Sequence, residues 1–321
     1  GKIIPVNSLE MTPKMVKQAA LELMNEEQME QFNRELEIDF ALSEKGLGRF
    51  RVNVFHQRGS VAMVLRFITS ELPTLDELGM PEELKDLVML RRGQILMVGA
   101  TGAGKSTTLA AMVNHRNEKT SSHILTIEDP IEFLHPNKKS IINQREVGLD
   151  TKSYARALKS AVRAAPDVIQ IGEIRDTESM RAALDMAGTG HLVLATVHAN
   201  NSPETLDRII NLFPQEQHSQ VFMDLAHYLR AILSQRLVRG RDGKRVAAVE
   251  LMLNTPHIKD LILKGDISAI KEAHRDSGEQ GMRNFDDALL QLYKDGVITM
   301  EEAMSHADSR ANLEARVNFG G

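Results

Sequence analysis

The sequence predicts an α/β fold: a small N-terminal α+β unit, a core of alternating strands and helices, and a helical C-terminal region. Two observations carry that prediction. From Gln94 onward, short apolar runs (Gln94–Val98, Ile124–Ile127, Val168–Ile171, Leu192–Val197) alternate with helical segments (Lys105–Arg116, Ser153–Ala164, Thr177–Ala187, Pro203–Leu212). Such alternation implies a largely parallel sheet with helices on both faces. Before it, Phe50, Val52 and Val54 alternate with Arg51 and Asn53, then Arg58-Gly59 precedes a β-branched run from Ser60 to Ile68, which is a hairpin pattern.

The remaining elements follow in order. Thr12-Pro13 opens a helix with a cap and a proline at its first position, and Asn25 with Gln28 opens a second with a capping-box pair. These place an N-terminal domain over 1–70. The aperiodic stretch around Pro73 reads as a linker, set at 71–80, followed by a core over 81–255. Pro81-Glu82-Glu83 starts a short helix. Val221, Leu225, Tyr228, Leu229 and Ile232 give one amphipathic helical face. The helical C-terminal region, 256–321, takes its starts from Thr255-Pro256, from Phe285 with Leu289 and Leu292, and from Thr299 with Glu302.

Composition excludes several classes. The net charge of -5 with 4% aromatic residues argues against a broad nucleic-acid-binding field and leaves room only for a local basic patch. The absence of cysteine removes disulfides, thiolate nucleophiles and Cys-based zinc sites, and fits a cytosolic setting. No apolar run approaches the roughly 18 residues of a membrane span, and the opening residues carry no signal-peptide pattern. The 16 methionines read as adaptable core filler.

The strongest motif is Gly99-Ala100-Thr101-Gly102-Ala103-Gly104-Lys105-Ser106, a full G-x-x-x-x-G-K-[ST] between an apolar strand and a helix. Its glycines let the backbone wrap a triphosphate with N–H groups inward, and the following helix adds the positive end of its dipole. Lys105 reaches the β- and γ-phosphates, the Ser106 hydroxyl is placed to ligate Mg²⁺, and Thr107 completes the nucleotide-binding stretch. ATP and Mg²⁺ are therefore the expected substrate and metal.

Hydrolysis also needs acids. One strand ends in Gly172-Glu173, where a carboxylate would face the Mg²⁺ shell directly or through water; another ends in Glu128-Asp129-Pro130-Ile131-Glu132. Ligands of open α/β sheets sit at such carboxyl ends. His191 and His198 bracket the strand between them, and His198, at its exit, is placed to sense a γ-phosphate. Seven residues of strand keep the two rings too far apart to share a metal.

In order, Gly99–Ser106, the acidic box Ile127–Glu132, Gly172-Glu173-Ile174-Arg175-Asp176 and Gly190-His191 through Thr196-Val197-His198 resemble the Walker A, Asp box, Walker B and His box of secretion-superfamily ATPases. Leu125–Pro130 and Asn143–Glu146 resemble most the twitching-motility branch, PilT and PilU. The resemblance implies a PAS-like N-terminal domain, a RecA-like core and a homo-hexameric ring. It further implies Glu132 as general base, Glu173 as organiser of Mg²⁺ and water, and His198, with His191, as couplers of nucleotide state to domain movement. Arg51 and Arg66 would supply positive charge at a subunit junction. Implied partners are a sibling retraction ATPase and the inner-membrane pilus platform protein, at the cytoplasmic base of the pilus machine.

Two departures refine this. The Ala-Ile-Arg-Asn-Leu-Ile motif of the main retraction ATPase is altered here to Pro256-His257-Ile258-Lys259-Asp260-Leu261-Ile262, and Arg163-Ala164-Ala165-Pro166-Asp167 lacks an acid before Pro-Asp. With the long tail after Phe285, both point to the accessory, PilU-like side. The expected function is an ATPase that drives or assists type IV pilus retraction. The rival readings are a catalytically minor binding module for a sibling motor and, against the composition, a nucleic-acid translocase.

Overall fold

In the computed structural model, which describes residues 4–5, 10–275 and 281–319, the chain separates into two units, Gly1–Ser70 and Glu71–Gly321. The first contains α1 (Pro13–Leu23), α2 (Glu26–Glu35), β1 (Glu37–Glu44), β2 (Gly48–Gln57) and β3 (Ser60–Ile68). Thr12 caps α1, and Asn25 and Gln28 form a reciprocal capping box at α2. The strands make an antiparallel meander in the order β1-β2-β3. Gln57 pairs with Ser60, and the two residues between them, Arg58 and Gly59, both have positive φ, as a two-residue hairpin turn requires. Val52 and Val54 point inward against Ile38, Phe40, Ala20 and Phe32.

The second unit begins with α3 (Glu83–Val88), β4 (Gly93–Val98), α4 (Lys105–Lys119), β5 (His123–Glu128), β6 (Ile141–Glu146) and α5 (Tyr154–Ala164). It continues with β7 (Val168–Ile171), α6 (Thr177–Gly188), β8 (Leu192–Val197), α7 (Ser202–Asn211), α8 (His218–Tyr228), β9 (Leu229–Arg239) and β10 (Arg245–Leu253). The last helices are α9 (Pro256–Lys264), α10 (Ile267–Arg275), α11 (Phe285–Lys294), α12 (Met300–His306) and α13 (Arg310–Phe319).

Seven strands form one sheet in the order β10-β9-β4-β8-β7-β5-β6. Every neighbouring pair is parallel except β9 with β10. Both faces are buried, so alternate residues of one strand enter different cores. Leu96 and Val98 pack with Leu158, Met180 and Leu225, whereas Ile95 and Met97 pack with Leu84, Leu109 and Met112. Val98 pairs with Val197, Ala195 with Ile171, and Ile171 with Ile127. The segments leaving β4, β8, β7 and β5 therefore emerge along one edge of the sheet.

The helical face read through Val221, Leu225, Tyr228, Leu229 and Ile232 needs correction. Helix α8 stops at Tyr228 and Leu229 begins β9. Leu229 and Ile232 enter one core while Ala231 and Leu233 enter the other, and a strand buried on both faces shows no alternation to separate it from a buried helix. The C-terminal region is helical apart from short bridges. Phe285, Leu289 and Leu313 pack on Val238 and Ala248 of the β9–β10 hairpin. Among the described residues no helix is long and apolar enough to cross a membrane.

Candidate active site

Strand β4 is buried along its whole length and delivers the chain to Gly99 at its carboxyl end. Gly99 has φ +146°, and a Cβ there would stand 2.5 Å from the Gln235 carbonyl oxygen. Gly104 has φ +85°, and its Cβ would meet Gln235 Nε2 at 2.8 Å. Only glycine tolerates both the backbone angle and the approach. Helix α4 starts at Lys105 with no side-chain cap, so its first N–H groups are left for an anion. Lys105 Nζ donates to Gly99 O at 2.7 Å and Ala100 O at 3.0 Å. Burial lowers the Lys105 pKa, and the nearby Glu173 charge opposes that shift.

Beside this loop lies a cavity of about 610 Å³. Its walls bring together Thr101, Gly102, Gly104, Lys105, Ser106 and Thr107 from the loop and α4, Asp129 and Glu132 from beyond β5, Glu173 from beyond β7, and His198 from beyond β8. Gly99, Ala100 and Ala103 are not among the lining residues. His191 sits at the opposite end of β8, with Nδ1 3.1 Å from Met186 O. Arg51 and Arg66 lie in the first unit as direct partners across β2 and β3, with Arg51 Nε 3.7 Å from Asp39 Oδ1.

The carboxylates differ in their surroundings. Glu173 Oε1 is 2.8 Å from His198 Nε2, and Oε2 accepts a hydrogen bond from Arg175. Burial raises the Glu173 pKa, but the Arg175 hydrogen bond and the His198, Arg175 and Lys105 charges outweigh it and leave it lowered. Glu128 is buried and accepts from Thr126 Oγ1 at 2.6 Å, from Gln144 Nε2 at 3.2 Å and from the Glu132 N–H. Its burial pushes the carboxyl up despite those bonds. Glu132 itself is exposed to the cavity, its backbone held by Glu128.

The donor set suits Mg²⁺. Ser106 and Glu173, a hydroxyl and a carboxylate, line the same cavity and are hard oxygen donors of the kind Mg²⁺ takes. Mg²⁺ is held by one or two protein oxygens together with substrate phosphates and water.

Sequence reasoning assigned no role to Tyr154, Arg175, Arg245 or Gln170, all of which line the cavity. Burial, then the Asp129 and Glu173 charges, raise the Tyr154 pKa, so its hydroxyl stays a donor. Arg175 was open to detection from its place two residues after Glu173; the others follow no spacing rule and needed the fold.

Comparison with known proteins agrees with this geometry. Residues 24–245 match the family model described as "Type II/IV secretion system protein". The chain is 50% identical over 321 residues to the type IV pilus ATPase PilU of Pseudomonas aeruginosa, covering 100% of this chain and 84% of that protein. It is 42% identical over 313 residues to the PilT retraction ATPase of the same organism, covering 98% and 91%. The crystal structure of the pilus retraction motor PilT with bound ADP superposes with a TM-score of 0.88 at 43% identity, covering 93% of this chain and 85% of that one. Carrying a phosphate loop, flanking acids and a strand-end histidine in one cleft, this chain belongs to the type II/IV secretion system protein family.

Proposed function

We propose that this chain is an ATP-hydrolysing motor that drives or assists the retraction of type IV pili. The observation that carries the reading is the convergence of Lys105, Ser106, Glu132, Glu173 and His198 on one cavity. ATP enters with its phosphates on the loop N–H groups, and Lys105 exchanges the Gly99 and Ala100 carbonyls for phosphate oxygens. Ser106 and Glu173 would hold Mg²⁺, which neutralises charge between the β- and γ-phosphates when bound. Glu132 takes a proton from water as the water oxygen bonds to the γ-phosphorus in line with the departing ADP oxygen. The bridging P–O bond breaks, and ADP and phosphate leave.

His198 contacts Glu173 across the ends of β8 and β7, so a change at the γ-phosphate reaches the segment entering α7. In this reading the working form is a homo-hexamer in which Arg51 and Arg66 serve a nucleotide at a subunit junction. It sits at the cytoplasmic side of the inner membrane, pushing on the pilus platform protein beside a sibling retraction ATPase. The identity to PilU and the altered segment Pro256–Ile262 favour the assisting role.

The test pairs phosphate release by the purified chain with pilus retraction in cells lacking the native gene. Lys105→Ala is expected to abolish the first and fail to restore the second. Full restoration of retraction by that variant would overturn the motor reading.

A further inference from the structure

The phosphate loop has to turn its N–H groups toward an anion and its carbonyls away from it, and something must hold the carbonyls. Lys105 holds those of Gly99 and Ala100, but that side chain is needed by the phosphates. The Ala103 carbonyl has a different partner. Gln235, on β9 and 3% exposed, donates from Nε2 to Ala103 O at 2.8 Å and accepts at Oε1 from Thr108 Oγ1 at 2.8 Å. The amide orientation is fixed by chemistry, since a carbonyl oxygen only accepts.

Peptide planarity carries this contact into the cavity. Across a trans peptide the C=O of Ala103 and the N–H of Gly104 point in opposite directions. Anchoring the Ala103 oxygen on the β9 side therefore aims the Gly104 N–H away from β9, and Gly104 lines the cavity. The same residue fits against both glycines at the ends of the loop. Its backbone carbonyl oxygen, present whatever the side chain, is the atom nearest a Cβ at Gly99, and its side-chain amide nitrogen is the atom nearest a Cβ at Gly104.

We propose that Gln235 is a positioning residue for nucleotide binding: its side-chain amide sets the Ala103–Gly104 peptide so that the loop accepts phosphate, and it keeps this hold when Lys105 transfers to the nucleotide. The inference rests on the ATP-binding reading of the site. It differs from a purely structural role because the loss falls on affinity for nucleotide and not only on the stability of the fold.

The experiment uses the full chain with Gln235→Met, Gln235→Glu and Thr108→Val. Mg-ADP affinity is titrated and thermal unfolding is followed with and without Mg-ADP. Gln235→Met keeps the length but loses the donor, and Gln235→Glu puts a carboxylate against the Ala103 carbonyl. Both are expected to weaken Mg-ADP binding by about tenfold or more and to shrink the nucleotide-induced rise in Tm. Thr108→Val leaves the donor to Ala103 in place and weakens binding by less than about threefold. If either Gln235 variant is unfolded, the other decides. A folded Gln235 variant that binds Mg-ADP as the native chain does, with only its unliganded Tm lowered, overturns the proposal. A native chain that binds no Mg-ADP sinks the ATP-binding reading itself, a result visible before any variant is compared.

Discussion

Glu173 Oε1 and His198 Nε2 stand 2.8 Å apart, joining the ends of β7 and β8, while Arg175 takes the other Glu173 oxygen. Both oxygens of the Glu173 carboxylate are thus engaged, one by each neighbour. In the proposed mechanism this contact links the γ-phosphate region to the segment that enters α7.

Replacing the histidine cuts that route and leaves the phosphate loop intact. His198→Ala is expected to lower kcat by about tenfold or more while Mg-ATP affinity stays within about threefold. Steady-state kinetics beside equilibrium nucleotide binding separates the two.

Glu173 also sets an acid-side dependence of stability. Its pKa is lowered in the folded chain from the ordinary value of 4.5, the Arg175, His198 and Lys105 interactions outweighing burial. The stability it contributes is therefore fully present above about pH 4.5 and is lost as pH falls through the lowered value. Glu173→Gln should be less stable than the native chain at pH 7, with a smaller difference at an acid pH well below the ordinary carboxylate value. Thermal unfolding at both pH values checks this, and a difference independent of pH would contradict it.

At the loop, Gly99→Ala forces a Cβ to within 2.5 Å of the Gln235 carbonyl at a backbone angle suited to glycine. A loss of about 1–3 kcal/mol is expected in denaturant titration, with weaker nucleotide binding.

Phe285 anchors α11, α12 and α13. It is fully buried against the β9–β10 hairpin, and the Arg236 guanidinium lies 3.8 Å over its ring. Phe285→Ala should cost about 3–5 kcal/mol, read as early protease sensitivity of the segment that begins at α11.

Much of this was legible in the sequence because the physics was local. The strands at Gln94, Ile124, Val168 and Leu192 are short apolar runs bounded by turns, and Thr12, Asn25, Thr255 and Thr299 act as caps by side-chain chemistry that spacing reveals. The phosphate loop was legible from its motif and Glu173 and His198 from their places at strand ends, while the resemblance singled out Glu132 among the neighbouring acids. The β9–β10 hairpin was not legible, because Leu229 and Ile232 continue a helical spacing begun in α8. Strand β6 escaped because only Ile141 and Ile142 are apolar in a run that ends Asn143-Gln144-Arg145-Glu146. Among the acids at the end of β5, burial and the hydrogen bonds from Thr126 and Gln144 separate Glu128 from Glu132, and both are properties of the fold. Gln235 lies 132 residues from its Ala103 partner, with no motif of its own.

The measurement that bears most directly on the account is ATP turnover by the purified native chain and by Glu132→Gln, with Mg-ATP affinity measured on both. Mg²⁺-dependent phosphate release is expected from the native chain, and in the variant near-native affinity with kcat reduced by about 10²–10⁴-fold. A variant that releases phosphate at the native rate would contradict it, because no other carboxylate was assigned the water's proton.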